Sequence, residues 1–291
     1  MNVHEAQYDQ DLARFERESR GLQRHIETEL TRIEQEFGVT VLYACESGSR
    51  AWGFASTNSD YDVRFIYAHP PEWYLTVEAK RDVIDAQDLP AMDPLDLSGW
   101  DITKALKLYR KSNPPLLEWL RSPIVYRNQG ILHARLTTLL PDYYSPIACM
   151  YHYLHMARGN YRQYLQRERV WIKKYLYVVR PVLCCLWIDA GYGVPPVVLD
   201  AMVESPLCPA EPRAALLELL TAKRAGQELD YGEPVPVINA WLADAFAHLD
   251  RRQYGLQNPE RPTVSLDKVL LETLVDTYGA GSGVLLLARD A

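Results

Sequence analysis

Cysteine is scarce in this chain: 291 residues hold five, an odd number, with Cys184 and Cys185 adjacent. That pattern excludes a disulfide framework and leaves reduced, mostly buried thiols. Phenylalanine is equally rare at five, whereas tyrosine reaches 19, a residue that stacks on bases but more often packs at domain interfaces. Positive charge is in deficit, with 31 Lys and Arg against 38 Asp and Glu and a formal net charge of −7. A generic nucleic-acid coat needs a basic surface and is excluded; a local basic groove is not. No apolar run is long enough to span a bilayer. The start of the sequence, Met1–Asp11, lacks the basic and apolar blocks of a signal peptide, so a cytoplasmic enzyme is expected. No internal repeat is visible. What is present in quantity is apolar side chain, 48% of the total, enough for a sizeable core and more than one domain.

The most informative stretch runs from Cys45 to Phe65. An apolar run, Val39–Ala44, reads as a buried strand leading into it. Gly48-Ser49 then reads as a tight turn, since glycine tolerates backbone angles closed to other residues. The spacer Gly53–Ser59 is rich in Ser, Thr and Asn, as a loop entering a strand should be. Asp60-Tyr61-Asp62 opens a second strand, Val63–Tyr67, and residues two apart on a strand project to the same face. Two carboxylates side by side repel each other unless a cation lies between them. All-oxygen ligands favour Mg2+ or Mn2+. The turn before them can hold an anion on its N–H groups and the Ser49 hydroxyl. Together these are parts of a metal–triphosphate site.

Gly48-Ser49, a spacer and Asp60-Tyr61-Asp62 resemble the signature of the DNA polymerase β nucleotidyltransferase superfamily. Within it, Gly-Ser-Arg-Ala-Trp-Gly (48–53) followed by Ser-Asp-Tyr-Asp-Val-Arg (59–64) is similar to bacterial nucleotidyltransferases tied to RNA repair, the RlaP or YcgL group. Asn113–Leu120 resembles that group too, and the matches cover roughly the first half of the chain. The resemblance implies a third carboxylate on a neighbouring strand, aimed at the same metal pair. Counting back from Asn113-Pro114, it falls on Asp96, in the middle of a third strand Leu95–Trp100. Asp101 is the competitor, but it stands where a helix N-cap is expected before Ile102–Tyr109, a position that needs Asp for backbone reasons alone.

Further candidates lie outside the acids. Arg50 either reaches a phosphate or makes a structural ion pair. Lys104, Lys107, Arg110 and Lys111 are either a solvated face or a grip on an acceptor nucleic acid. Beyond a linker at Pro141–Pro146 the chain turns helical, with helices over Ile147–Arg167 and Val170–Ala190, the second kinked at Pro181. Arg158, Tyr161, Arg162, Lys173, Lys174, Tyr177 and Arg180 interleave cations with phenols here. Lys173, Lys174 and Arg180 are candidate phosphate clamps, with exposed cations paired to acids as the alternative. His152 and His155 have a spacing compatible with zinc but lack further ligands, so packing is the simpler reading.

The expected architecture is α+β: a polymerase-β-like nucleotidyltransferase core, a short mixed sheet with helices, followed by a mostly helical C-terminal domain. The divisions are an N-terminal helix packed on the core (1–37), the core (38–127) and the helical domain (141–291). The active site is expected between core and helical domain. Two Mg2+ ions (or Mn2+) on Asp60, Asp62 and Asp96, with Gly48, Ser49 and Arg50 at the phosphates, would carry a nucleoside monophosphate from a nucleoside triphosphate to an acceptor hydroxyl. An RNA end is the acceptor that the resemblance favours. The alternatives are a non-catalytic nucleotide-binding module and an antitoxin-like partner protein.

Overall fold

The computed structural model describes residues 21–85, 95–227, 229–251 and 261–279. The chain enters through helix α1, residues 21–37, and leaves it at Gly38, whose φ of 62° suits a helix terminator. Residues 1–20, the start of the N-terminal segment expected to pack on the core, lie outside the described residues. Strand β1 (Thr40–Glu46), a single helical turn α2 (Gly48–Ala51) and strand β2 (Tyr61–Ala68) form the next unit. Two further strands, β3 (Val83–Ile84) and β4 (Leu95–Asp101), lead to α3 (Ile102–Arg110), α4 (Pro114–Leu120) and strand β5 (Val125–Asn128). The sheet order is β3-β4-β2-β1-β5. It is mixed: β2 and β4 run parallel, whereas β1–β2, β1–β5 and β3–β4 are antiparallel.

The sheet is covered on both faces. Ile26, Leu30 and Ile33, spaced by four and three on α1, are fully buried against Val41, Ala44, Val63, Phe65 and Leu97. The opposite face carries Ile66 and Ala68 of β2 and Trp100 of β4, and there a second, larger core begins. It runs without interruption through α5 (Leu132–Tyr143), α6 (Pro146–Asn160), α7 (Lys174–Asp189), α8 (Asp200–Val203), α9 (Ala210–Arg224), α10 (Pro236–Arg251) and α11 (Val264–Tyr278). A small ribbon, β6 (Val170–Trp171) with β7 (Tyr231–Gly232), sits beside the start of α7.

Three local readings are corrected. Of the segment read as a linker at Pro141–Pro146, the first three residues close α5, which is held by buried Leu132, Leu136 and Tyr143. The break itself is confined to Tyr144-Ser145 within that segment, where Ser145 accepts a hydrogen bond from the Ala148 N–H and caps α6. The helix expected over Ile147–Arg167 ends at Asn160 and passes into a π-helical turn, Tyr161–Leu165. Val170-Trp171 is ribbon rather than helix, and α7 begins only at Lys174. Pro181 lies within α7, which continues past it.

Candidate active site

The period of two along β2 puts Asp62 and Arg64 on the same face as Ile66 and Ala68, the face covered by the helical half. Because β2 and β4 run parallel, Asp96 is the direct cross-strand neighbour of Asp62. Neighbouring strands are about 4.8 Å apart, so the two carboxylates leave the sheet side by side. Arg64 lies against both: its Nη2 donates to Asp62 Oδ1 at 3.1 Å and to Asp96 Oδ2 at 2.8 Å. Asp60 stands immediately before β2 and is exposed. Burial pushes the Asp62 carboxyl above its usual range, and the charges of Asp96 and Asp60 add to the effect while Arg64 opposes it. Asp62 and Asp96 thus share one guanidinium, and the charge of Asp60 adds to the negative charge around Asp62.

Gly48 is pressed onto this group. Its φ is 58°, and a Cβ built there would lie 2.0 Å from Asp62 Oδ2. The Ser47 N–H donates to the Asp62 carbonyl at 2.9 Å, so the turn and the strand are stitched together at the acid itself. Ser49 is buried in the turn that follows. Arg50 is held by its own loop. Its Nε and Nη2 donate to the carbonyls of Asp60 (3.1 Å) and Ser59 (2.6 Å), and its guanidinium lies 3.5 Å from the centre of the Tyr61 ring. It braces the loop that presents Asp60.

Glu46 is a site neighbour that the sequence reading passed over. Fully buried at the end of β1, it accepts from the Asp62 N–H at 2.7 Å and from the Tyr126 hydroxyl. Burial raises its pKa and the charge of Asp62 adds to that. Its position before Ser47-Gly48 was the available signal, but an acid at the end of an apolar strand carries no mark of its role.

Across the cleft, α7 contributes Lys174 and Tyr177, and its N-cap residue is Lys173. Lys174 Nζ sits among three rings, 4.6 Å from Tyr164, 5.0 Å from Trp171 and 4.6 Å from Tyr177; Lys173 Nζ is 4.2 Å from Trp171. The Tyr177 phenol is raised in pKa by burial and then by the fields of Asp62 and Asp60, so it links the lysines to the acids. Lys223 of α9 joins this side, donating to Ser56 Oγ at 3.1 Å. Burial lowers the pKa of Lys174 and of Lys223, and Lys173 lowers both further. Among the described residues none of these three lysines has a carboxylate partner. Lys223 had no sequence signal, being one cation on an ordinary amphipathic helix.

Arg180 is corrected from phosphate clamp to internal anchor. Only 3% of its side chain is exposed; it donates from Nη1 to Glu118 Oε1 at 2.9 Å and from Nη2 to the Val197 carbonyl at 3.1 Å. Glu118 also accepts from the Trp52 indole (2.9 Å) and the Tyr153 hydroxyl (2.7 Å), joining the segment after α2 to α4, α6 and α7. Asp101 accepts from the Thr103 N–H and the Tyr74 hydroxyl, each at 2.8 Å, and caps α3 at the end of β4 remote from Asp96. Lys104 pairs with Asp82 at that same remote end. All five cysteines are free and buried.

The donors at the sheet end fit a hard divalent cation in chemistry, being carboxylate oxygens in excess over one guanidinium. They are not a closed cage: among the described residues no three His, Cys, Asp or Glu side chains converge as a ready ligand set. Arg64 occupies one oxygen of each carboxylate, Asp62 Oδ1 and Asp96 Oδ2.

A family model described as "RNA repair pathway DNA polymerase beta family" (RlaP) matches residues 22–272. The chain belongs to that family. Membership supports a nucleotidyl-transfer role, and the matched span takes in β1, β2, β4 and the lysines of α7 and α9. A relative, the "Uncharacterized protein YcgL" of Bacillus subtilis (strain 168), is 42% identical over 261 residues, 89% of this chain and 99% of its own length. The crystal structure of a nucleotidyltransferase-like protein from Exiguobacterium sibiricum 255-15 aligns with 90% of this chain and 91% of its own. Its TM-score of 0.27 and 13% identity are too low to carry an argument. No helix among the described residues is long and apolar enough to cross a membrane.

Proposed function

We propose that this protein transfers a nucleoside monophosphate from a nucleoside triphosphate to the hydroxyl of an acceptor, an RNA end, with release of pyrophosphate. The observation that carries the reading is the parallel register of Asp62 with Asp96 beneath the Gly48 turn. Asp60, Asp62 and Asp96 are the residues that would hold Mg2+ or Mn2+, which when bound supplies Lewis-acid stabilisation of the charge at phosphorus. Gly48 and Ser49 sit where the backbone can approach the β and γ phosphates. Lys173, Lys174 and Lys223 oppose the remaining charge of the triphosphate from the helical side. In the transfer, the acceptor oxygen forms a bond to the α-phosphorus as the bond from that phosphorus to the bridging oxygen of pyrophosphate breaks. The acceptor hydroxyl gives up its proton to solvent water. Asp96, the more exposed of the in-register pair at 43% against 30% for Asp62, faces the side open to an acceptor.

The test is incubation of the protein and Mg2+ with each labelled nucleoside triphosphate and an RNA acceptor. Label appears on the RNA with the unaltered chain and is lost with Asp62→Ala at unchanged folding. Transfer that survives Asp62→Ala would refute the assignment.

A further inference from the structure

The face of α6 turned away from the sheet carries a stripe that the transfer reaction leaves unused. Tyr151, His155, Arg158 and Arg162 are spaced by four, three and four, so they share one helix face over about 16 Å. Tyr151 is 48% exposed, and His155 and Arg162 are exposed as well. With Tyr161, which packs on Phe246 at 5.4 Å between ring centres, they wall a cavity of about 650 Å3. No acidic residue lines it. In a chain with a net charge of −7 this leaves a local surplus of one cation, Arg162, once Asp250 is counted against Arg158. Arg158 is paired with Asp250, whereas Arg162 has only the Arg158 carbonyl, at 3.4 Å, among the described residues.

The stripe is continuous with the nucleotide side of the cleft. The π-helical turn Tyr161–Leu165 widens the helix just where the stripe ends. Arg162 therefore stays on the outer face while Tyr164 turns in to meet Lys174 and Trp171. From there Lys174 contacts Tyr177, which lies in the field of Asp60 and Asp62. Cations alternate with rings along the whole path, the arrangement that single-stranded nucleic acid requires for phosphates and unstacked bases.

We propose that this groove binds the single-stranded stretch of the acceptor upstream of its reacting end. The inference rests on the reading above that the acceptor is a nucleic acid, and its test is independent of transfer. Fluorescence anisotropy of a labelled 12-nucleotide single-stranded RNA, in EDTA and without triphosphate, measures binding to the full chain. Arg162→Glu weakens binding about tenfold or more and lowers the steepness of its salt dependence by about one contact. Tyr151→Ala weakens it about tenfold through lost stacking. Both variants melt at the temperature of the unaltered protein. Transfer to a dinucleotide acceptor, too short to reach the groove, is unchanged in both.

Unaltered RNA affinity in Arg162→Glu and Tyr151→Ala, or no RNA binding by the unaltered chain, overturns the proposal. So does a loss confined to Lys107→Glu on α3, which would send the strand to the other end of the sheet. Absence of transfer with groove-dependent RNA binding intact would instead count against the catalytic reading alone.

Discussion

Asp62 and Asp96 stand side by side on parallel neighbouring strands, and the guanidinium of Arg64 bridges them at 3.1 and 2.8 Å. The pair is the point at which the sheet's topology becomes chemistry. The β2–β4 register sets these two acids directly opposite, on the face that turns toward the helical half.

Removing either charge removes transfer and spares the fold. Asp62→Asn and Asp96→Asn each lower the transfer rate by about 1000-fold, the equivalent of several kcal/mol of charge stabilisation. Asp62→Asn leaves the melting temperature level or higher, because burial and the neighbouring acids already disfavour the Asp62 charge. Single-turnover kinetics and a melting curve on the same preparation check both halves.

The raised pKa of Asp62 sets a pH dependence with a definite sign. Its proton is held more tightly in the folded protein than in the unfolded chain, whose reference is 3.8. In the absence of divalent cation this contributes stability below 3.8 that is lost as the pH rises through the elevated value. Divalent cation binds the ionised form, so its apparent affinity climbs over the same interval and levels off above it. Thermal melts with and without Mn2+ across that range measure the crossover.

Gly48→Ala separates geometry from stability. A positive φ costs a side chain about 1–2 kcal/mol, a modest loss. The new Cβ, 2.0 Å from Asp62 Oδ2, forces the carboxylate from its place. A displacement of that order costs about 100-fold in rate. The expected result is a folded protein, a few degrees less stable, with transfer nearly abolished.

The three cleft lysines are tested by triphosphate binding without metal. Lys174→Ala and Lys223→Ala each weaken ATP binding about tenfold in isothermal titration, as loss of one charged clamp should. Because burial depresses both lysines, the unliganded variants are no less stable than the unaltered protein in a melt near neutral pH. A bound anion reverses that sign, so ATP raises the melting temperature of the unaltered chain more than that of either variant.

Glu118→Ala is the strongest destabiliser among these changes. It strands the Arg180 guanidinium, whose side chain is 3% exposed, together with the Trp52 indole and the Tyr153 hydroxyl. The expected loss is about 3–5 kcal/mol, read from denaturant unfolding. Glu118→Ala combined with Arg180→Met recovers a substantial part of it, since an apolar side chain leaves no unpaired charge.

Local pattern carried much of this structure. The strands at Val39–Ala44 and Val63–Tyr67, the helix ending at Gly38 and the cap at Asp101 follow from periodicity and turn chemistry, both short-range properties. The mixed α+β plan and the family came from the resemblance that Gly48-Ser49, Asp60–Asp62 and Asn113–Leu120 carry to a known group. What stayed hidden depends on contacts between distant segments. Arg180 shares a helix face with Lys173 and Tyr177, but only the fold brings Glu118 to meet it, 62 residues away in sequence. Lys223 reaches Ser56 across 167 residues, and no helical pattern announces such a contact. The contacts of Arg50 with the Tyr61 ring and two carbonyls of its own loop were equally hidden, since they depend on how that loop folds back. The linker expected at Pro141 misread a proline that closes a helix.

Glu118 has one more implication, for motion. It ties the segment carrying Trp52, beside the glycine turn, to α6 and α7 on the far wall. Swinging those walls apart would leave a carboxylate and a guanidinium stripped of water with nothing opposite them. Substrates therefore enter a gap of nearly constant width, and accommodation falls to side chains at its rim, Arg64 first among them, rather than to a hinge.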